Sequence, residues 1–430
     1  MTDIKEPTER ADDQTPVSSA AADMAMAPEL IATSLRDYLR ATVARVKGGD
    51  SGVLPVVGGL LLISILFQSL NSHFLTAGNL INLIVQGAVY MLLAMGEVYA
   101  LLLGEIDLSI GFVSGIGGVV TAELVKQSNG WPWWAAIIAG LVACAVIGAI
   151  HGLIITKIGL PSFVVTLAGL LGWQGVMLLI LGKGGSLPIN NNVINDLASG
   201  NLTATASWIV MLLIVAAFGL RTWLRESRRR ASGLVAPPAS LTMLKIAGAL
   251  VAGIIVVLIA NTNRGRGFVV IRGLPWVVLI VLGVLAMWTM LLGRTKFGRY
   301  MYAIGGNAEA ARRAGVNLAL IRTTAFMLAS FTAGIAGIIY ASRLRSVSTA
   351  VDGGRLVLYA VAAAVIGGTS LFGGRGKAMH AVLGGLVIAA IDNGMGLQGY
   401  SAAAQYVVTA MVLLAAVTID SLARRGRVGR

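Results

Sequence analysis

The chain has 430 residues, of which 57% are hydrophobic and 12% charged, a balance outside that of soluble globular domains. Its net charge of +14 would suit nucleic acid if the basic residues lined an aromatic-interleaved groove, but they sit in short loops, which excludes a nucleic-acid partner. The single cysteine, Cys144, lies in an apolar run and excludes an intrachain disulfide, while His73, His151 and His380 lack metal-type spacing.

Residues 1–50 are rich in Ala, Thr, Asp, Glu and Pro, turn basic from Arg36 to Lys47 and lack the apolar core of a cleaved signal, so a disordered cytoplasmic tail is expected. Apolar runs long enough to cross roughly 30 Å of hydrocarbon as helices follow over about 53–70, 80–103, 110–126, 133–155 and 161–181. Gly182 to Ser207, with Asn190, Asn191 and Asn192, is too polar for the bilayer and is expected as a loop. Further runs cover about 208–220, 244–260, 274–292, 318–342, 355–371, 379–397 and 402–420, and residues 422–430 form a basic tail. The runs do not alternate as barrel strands do. The fold class is therefore an all-α, polytopic bundle of about 10–12 transmembrane helices over residues 51–421; twelve runs are counted.

Placing the N-terminus inside puts Lys157, the basic residues of 221–230, 294–313 and 424–430 on the inner side. Outside are only Lys126, Lys183, Arg264, Arg266, Arg272, Arg343, Arg345 and Arg355. The positive-inside rule thus predicts both termini in the cytoplasm. Glycines within 111–118, 148–152 and 334–337 fall at helical spacing and predict close backbone approach between helices.

Three carboxylates stand where apolar residues would be cheaper: Glu97, Glu105 and Asp107. An ionisable group in hydrocarbon costs about 2.5–3.5 kcal/mol on insertion scales, so it faces a cavity or a partner. Gly104 and Gly111 flank Glu105-Ile-Asp107-Leu-Ser109, a pattern that breaks a helix and lets Asp107 or Ser109 cap the next one. Capping and bracing alone would account for these carboxylates; contribution to a substrate path is the alternative. Gly367-Gly368-Thr-Ser-Leu-Phe-Gly-Gly374 is a comparable break or re-entrant element. Gly373-Gly-Arg-Gly-Lys377 lacks the leading Gly and the trailing Ser or Thr of a phosphate loop, so ATP hydrolysis is not expected in this chain.

The inner loop 293–317 encodes a short helix. Asn307 is a suitable N-cap, Glu309 lies in the first turn, Arg312 and Arg313 favour the last, and Gly315 can end it in the left-handed conformation. Its Ala face, including Ala310 and Ala311, could enter a groove on another protein, although a plain connecting helix would read the same way.

Five motifs occur in order along the chain: Glu105 to Gly111, Pro161 to Gly169, Tyr302 to Asn317, Val365 to Gly374 and Asp392 to Met395. With them the chain resembles the permease subunits of bacterial ABC importers for ribose, galactose and xylose, and the basic insertion at Arg228 to Leu234 with the span after it resembles the xylose-type branch. Val85, His151, Val357 and Tyr359 depart from the family pattern and leave the exact sugar open.

The resemblance implies alternating access by two permease copies in the bacterial cytoplasmic membrane, fed by a periplasmic or lipid-anchored sugar-binding protein. It makes Gly305, Gly306, Asn307, Glu309, Ala310, Ala311, Arg312 and Gly315 the coupling helix received by a cytoplasmic ATPase subunit. That partner uses ATP and Mg, and this chain binds no cofactor. A neutral sugar calls for hydroxyl-matching groups, which nominates Gln86, Asp107, Ser109, Ser162, Thr166, Gln174 and Asn393 for the path and Gly104, Glu105, Gly111, Gly367 and Gly368 for helix breaks or a gate. The rival readings are an ion-coupled secondary transporter, with Glu97 and Asp107 holding the ion, and a membrane-embedded enzyme, for which no acid, base or metal groups converge in the sequence.

Overall fold

The computed structural model describes residue 40, residues 54–234, 236–265 and 268–428; most of the expected N-terminal tail lies outside them. The twelve apolar runs are all helical. They are α1 (Leu54–Leu70), α2 (Ala77–Leu102), α3 (Ile110–Val125), α4 (Trp133–Leu153), α5 (Ser162–Leu181), α7 (Ala204–Ala231), α8 (Ala239–Asn261), α9 (Trp276–Arg294), α12 (Leu318–Leu344), α13 (Gly353–Ile366), α14 (Ala378–Leu397) and α15 (Ala402–Val428). Three more helices lie between them: α6 (Asn192–Ser199), α10 (Lys296–Gly306) and α11 (Ala308–Arg313). The backbone of α15 runs on through most of the segment expected as a basic tail.

Eight of these helices are long and apolar enough to cross a membrane. The shorter α3 and α13, with 16 and 14 residues, span only about 24 and 21 Å at 1.5 Å per residue. Both adjoin the two predicted breaks. The expected span over 355–371 stops at Ile366, because Gly367 caps the helix and Gly368 takes φ +106°.

The stretch expected as a loop after α5 is ordered. Residues Ser186–Pro188 form β1, which pairs antiparallel with β2 (Ser346–Ser348) in the register Leu187 to Val347. Asn191 then caps α6 by accepting from the Ile194 N–H at 3.2 Å, and Ile194 and Ala198 turn inward. Eight residues are too few to show helical periodicity against a polar background, so composition hid this element.

Contacts divide the chain into two units, one containing residues 212–253 and the other residues 54–211 and 254–428. In the second unit, α3, α4 and α12 meet through their small residues. Added Cβ atoms at Gly117 and Gly152 would lie 2.8 Å from Gly334 Cα and 2.5 Å from Thr323 Cα, and one at Gly337 would collide with the Ser114 carbonyl oxygen. Backbones that touch in this way maximise dispersion where lipid offers no hydrophobic driving force. Helices α2, α12 and α14 are mostly buried, whereas α4, α5 and α9 turn much of their apolar surface outward.

In the other unit, the facing ends of α7 and α8 are locked by Glu226. Thr242 donates to its buried carboxylate, Arg230 pairs with it at 3.6 Å, and Arg230 also donates to the Pro237 carbonyl at 3.1 Å. Glu226→Ala leaves the Thr242 hydroxyl without its acceptor and Arg230 without its ion-pair partner, a loss of about 1–2 kcal/mol. Limited proteolysis of the α7–α8 connection should accelerate accordingly, and an unchanged cleavage rate would show the lock to be dispensable.

Candidate functional site

The first break is held by its own polar residues. Gly104 takes φ +76°, which ends α2, and Asp107 Oδ1 then accepts from the Ser109 N–H at 2.9 Å and the Ser109 hydroxyl at 2.5 Å. Asp107, rather than Ser109, therefore supplies the cap to α3, and the Ser109 side chain makes no cap bond of its own. The Asp107 N–H donates to Glu97 Oε1 at 3.3 Å, and both carboxylates are fully buried.

A chain of bonds continues into α4 and α5. The Trp173 indole N–H can only donate, and it lies 3.0 Å from His151 Nε2. That nitrogen must accept, so the imidazole proton sits on Nδ1, 3.3 Å from the Ser109 oxygen. The order Trp173 to His151 to Ser109 to Asp107 is thus fixed in direction by one obligate donor. Thr166 ties the break from the other side, donating to the Ile106 carbonyl at 3.2 Å and the Ser162 carbonyl at 2.9 Å. Glu105 pairs with Arg322 at 3.5 Å; these two line, with Thr156 and Ser162, a cavity of about 430 Å³. Gly111 is not part of the break: it lies inside α3, where its Cα faces the Gly353 carbonyl with no room for a side chain.

A second polar group lies further along α2. Tyr90 and Glu97 are seven residues apart, about 10 Å along the helix. Gln86 and Tyr90 donate to Asp392 Oδ2 on α14, the latter at 2.7 Å, and Tyr359 on α13 donates to Oδ1 at 3.4 Å. Asn393 accepts from Asn79 at 2.8 Å. Gln86 and Asn393 thus join one group and Asp107, Ser109, Ser162 and Thr166 the other, while Gln174, half-buried on α5, joins neither.

The helix expected from the Asn307 cap and Gly315 is present, but the coupling segment that the resemblance extended back to Gly305 is divided at Asn307. Asn307 takes an extended conformation and divides α10 from α11, capping the latter by accepting from the Ala310 N–H at 2.9 Å. Only six residues, Ala308–Arg313, form the knob. Its end closes through Gly315 at φ +82°, with Gly315 N–H to Arg312 O at 3.0 Å and Val316 N–H to Ala311 O at 3.1 Å, the paired bonds of a Schellman motif. Ala311 is buried, whereas Glu309, Ala310, Arg312 and Arg313 are exposed. Hydrogen bonds from Arg312 and Arg313 hold the Glu309 carboxyl below its usual range.

Gly305 and Gly306 belong instead to the end of α10, and Gly305 serves a different purpose. It sits where the two breaks meet: the Gly374 N–H donates to the Leu102 carbonyl at 2.9 Å, and a Cβ at Gly305 would collide with both partners. Tyr302, one turn earlier, donates to the Gly376 carbonyl at 2.7 Å. The end of α10, the end of α2 and the segment after α13 form one backbone junction.

The model of the permease component of branched-chain amino acid transport systems matches residues 79–417. The chain belongs to this permease family. It is 35% identical over 387 residues to the xylose transport system permease protein of Escherichia coli K12, covering 88% of this chain and 96% of the relative. It is 30% identical to the D-allose transport system permease protein of the same strain over 364 residues, 84% of this chain and 90% of the relative. Likeness to the E. coli K12 ribose import permease protein is also 30%, over 363 residues, 84% and 91% of the two chains. No solved structure matches it. The chain is a multi-pass membrane permease.

Sequence reasoning missed Asp392, Tyr90, Trp173 and Arg322 as site residues. Asp392 carried the one available signal, a carboxylate in an apolar run. Tyr90, Trp173 and Arg322 acquire meaning only from the partners that packing brings to them.

Proposed function

We propose that this chain is the membrane-spanning subunit of a bacterial ABC importer that carries xylose or a closely related pentose across the cytoplasmic membrane by alternating access, as two copies around a shared path. The observation that carries this reading is the exposed α11 knob built on a backbone junction with both helix breaks. Force applied at α11 reaches the ends of α2 and α13 through Gly305 and Tyr302, without an intervening flexible loop. A cytoplasmic ATPase subunit receives α11 and uses ATP and Mg, a sugar-binding protein delivers substrate from outside, and both termini are cytoplasmic. Likeness to the xylose permease over nearly the whole chain supports the pentose.

Reconstitution in proteoliposomes with a partner ATPase and a xylose-binding protein tests this directly with labelled xylose, ribose and allose. ATP-dependent xylose uptake requiring all three components is expected. Uptake driven by a proton or sodium gradient with no ATPase would establish the ion-coupled alternative instead.

Glu309→Lys places a third cation beside Arg312 and Arg313 and removes their acceptor. ATP hydrolysis should continue while uptake falls by about tenfold or more, because the knob no longer presents its mixed-charge face. Because pairing depresses the Glu309 pKa, its contribution is present above the ordinary carboxylate range and is lost as pH falls through the lowered value. Coupling by the parent protein should therefore stay level across neutral pH. Normal coupling by the variant would remove α11 from the docking role.

A further inference from the structure

Asp392 stands in α14 directly after Ala389, Ala390 and Ile391, where packing alone would favour another apolar side chain. It is buried, and its hydrogen-bond donors are all uncharged: the Gln86 amide, the Tyr90 hydroxyl and the Tyr359 hydroxyl; the Arg355 guanidinium acts on it only electrostatically, from beyond ion-pair distance. Arg355 forms no ion pair with it. The guanidinium instead lies 5.8 Å from the Tyr359 ring centre, and its buried Nε has no hydrogen-bond partner.

A carboxylate held by two phenols and an amide differs from a structural ion pair in one respect. Each of its donors is a neutral N–H or O–H group, as a sugar hydroxyl is, so a ligand hydroxyl can take a donor's place without unpairing a charge. Two adjacent hydroxyls of a sugar can donate together to one carboxylate, and the released phenol and amide can turn to the ring and hydroxyl oxygens. Tyr90 and Tyr359 meet edge to face at 5.1 Å, supplying apolar surface for the C–H face of a sugar ring. Gln86, Asn79 and Arg355 are half-buried, whereas Asp392, Tyr90 and Tyr359 are buried. A carboxylate as the acceptor disfavours an organic anion, and a neutral polyol matches the carboxylate, amide and hydroxyl groups alike.

We propose that Asp392, Gln86 and Tyr90 form a hydroxyl-reading site on the transport path, at which a vicinal diol of a neutral sugar displaces Gln86 and Tyr90 from the carboxylate. This rests on the sugar-importer reading above. It adds that the permease itself discriminates among sugars already selected by the binding protein.

The test compares uptake of xylose with that of its single-deoxy analogues in the reconstituted importer, keeping the same binding protein and ATPase throughout, so any change in ratio belongs to this chain. Asp392→Asn is expected to lower xylose uptake about tenfold or more, the loss of a charge-assisted hydrogen bond, and to bring the ratio of xylose to the discriminated deoxy analogue towards one. Tyr90→Phe keeps the carboxylate and ring while removing one competing donor; it should shift that ratio by about threefold or more in protein of parental melting temperature. If Asp392→Asn fails to fold, Tyr90→Phe decides. Unchanged ratios in well-folded variants overturn the site, whereas failure of the parent importer to move any sugar with ATP overturns the importer reading itself.

Discussion

Gly305→Ala is expected to disconnect ATP hydrolysis from uptake more severely than any change on the exposed face of α11. The added methyl would collide with the Leu102 carbonyl oxygen and the Gly374 nitrogen, and both are backbone atoms that no rotamer can move. The junction must open, losing the bond between the two breaks and adding overpacking of about 1–3 kcal/mol. Uptake should fall by about tenfold or more, the size of effect that such an energy implies, while ATP turnover continues. Gly306→Ala is the matched control: nothing lies within 4 Å of its added Cβ, and coupling should be retained. Equal sugar-to-ATP ratios in Gly305→Ala and the parent would show that the junction transmits nothing.

Gly337→Val should have the largest effect on folding. Its side chain would occupy the position of the Ser114 carbonyl oxygen, and the same contact region includes Gly118, whose added Cβ would lie 3.1 Å from the Gly337 oxygen. Relief requires α3 and α12 to separate, which also opens the Gly117–Gly334 contact. The loss of packing along the whole helix pair exceeds the usual cost of a single overpacked residue, about 1–3 kcal/mol, and little monodisperse protein should survive detergent extraction. Gly172→Ala, on α5 with open space around it, should extract and melt like the parent. A Gly337→Val protein with parental melting temperature would mean that the helices approach less closely than described.

The twelve helices were legible in the amino-acid sequence because each must satisfy its backbone internally in hydrocarbon, and that demand writes a long apolar run. The first break was legible for the same reason in reverse: Gly104, Glu105 and Asp107 interrupt such a run with groups that lipid penalises. Asn307, Glu309 and Gly315 announced the knob, since capping is local chemistry that acts over three or four residues. These properties depend on neighbours along the chain and on the solvent, and sequence by itself determines them.

What only the tertiary structure decided are the pairings over long separations. Asp392 meets Gln86 and Tyr90 across some three hundred residues, His151 receives Trp173 and faces Ser109, and Gly305 closes onto Leu102 and Gly374. In each case the residue alone is ambiguous: a tyrosine or glycine in a helix packs equally well against lipid or protein, and local propensity carries no term for what lies opposite. Helix packing supplies that term, because small residues set which backbones touch and so which polar groups are brought within hydrogen-bonding reach.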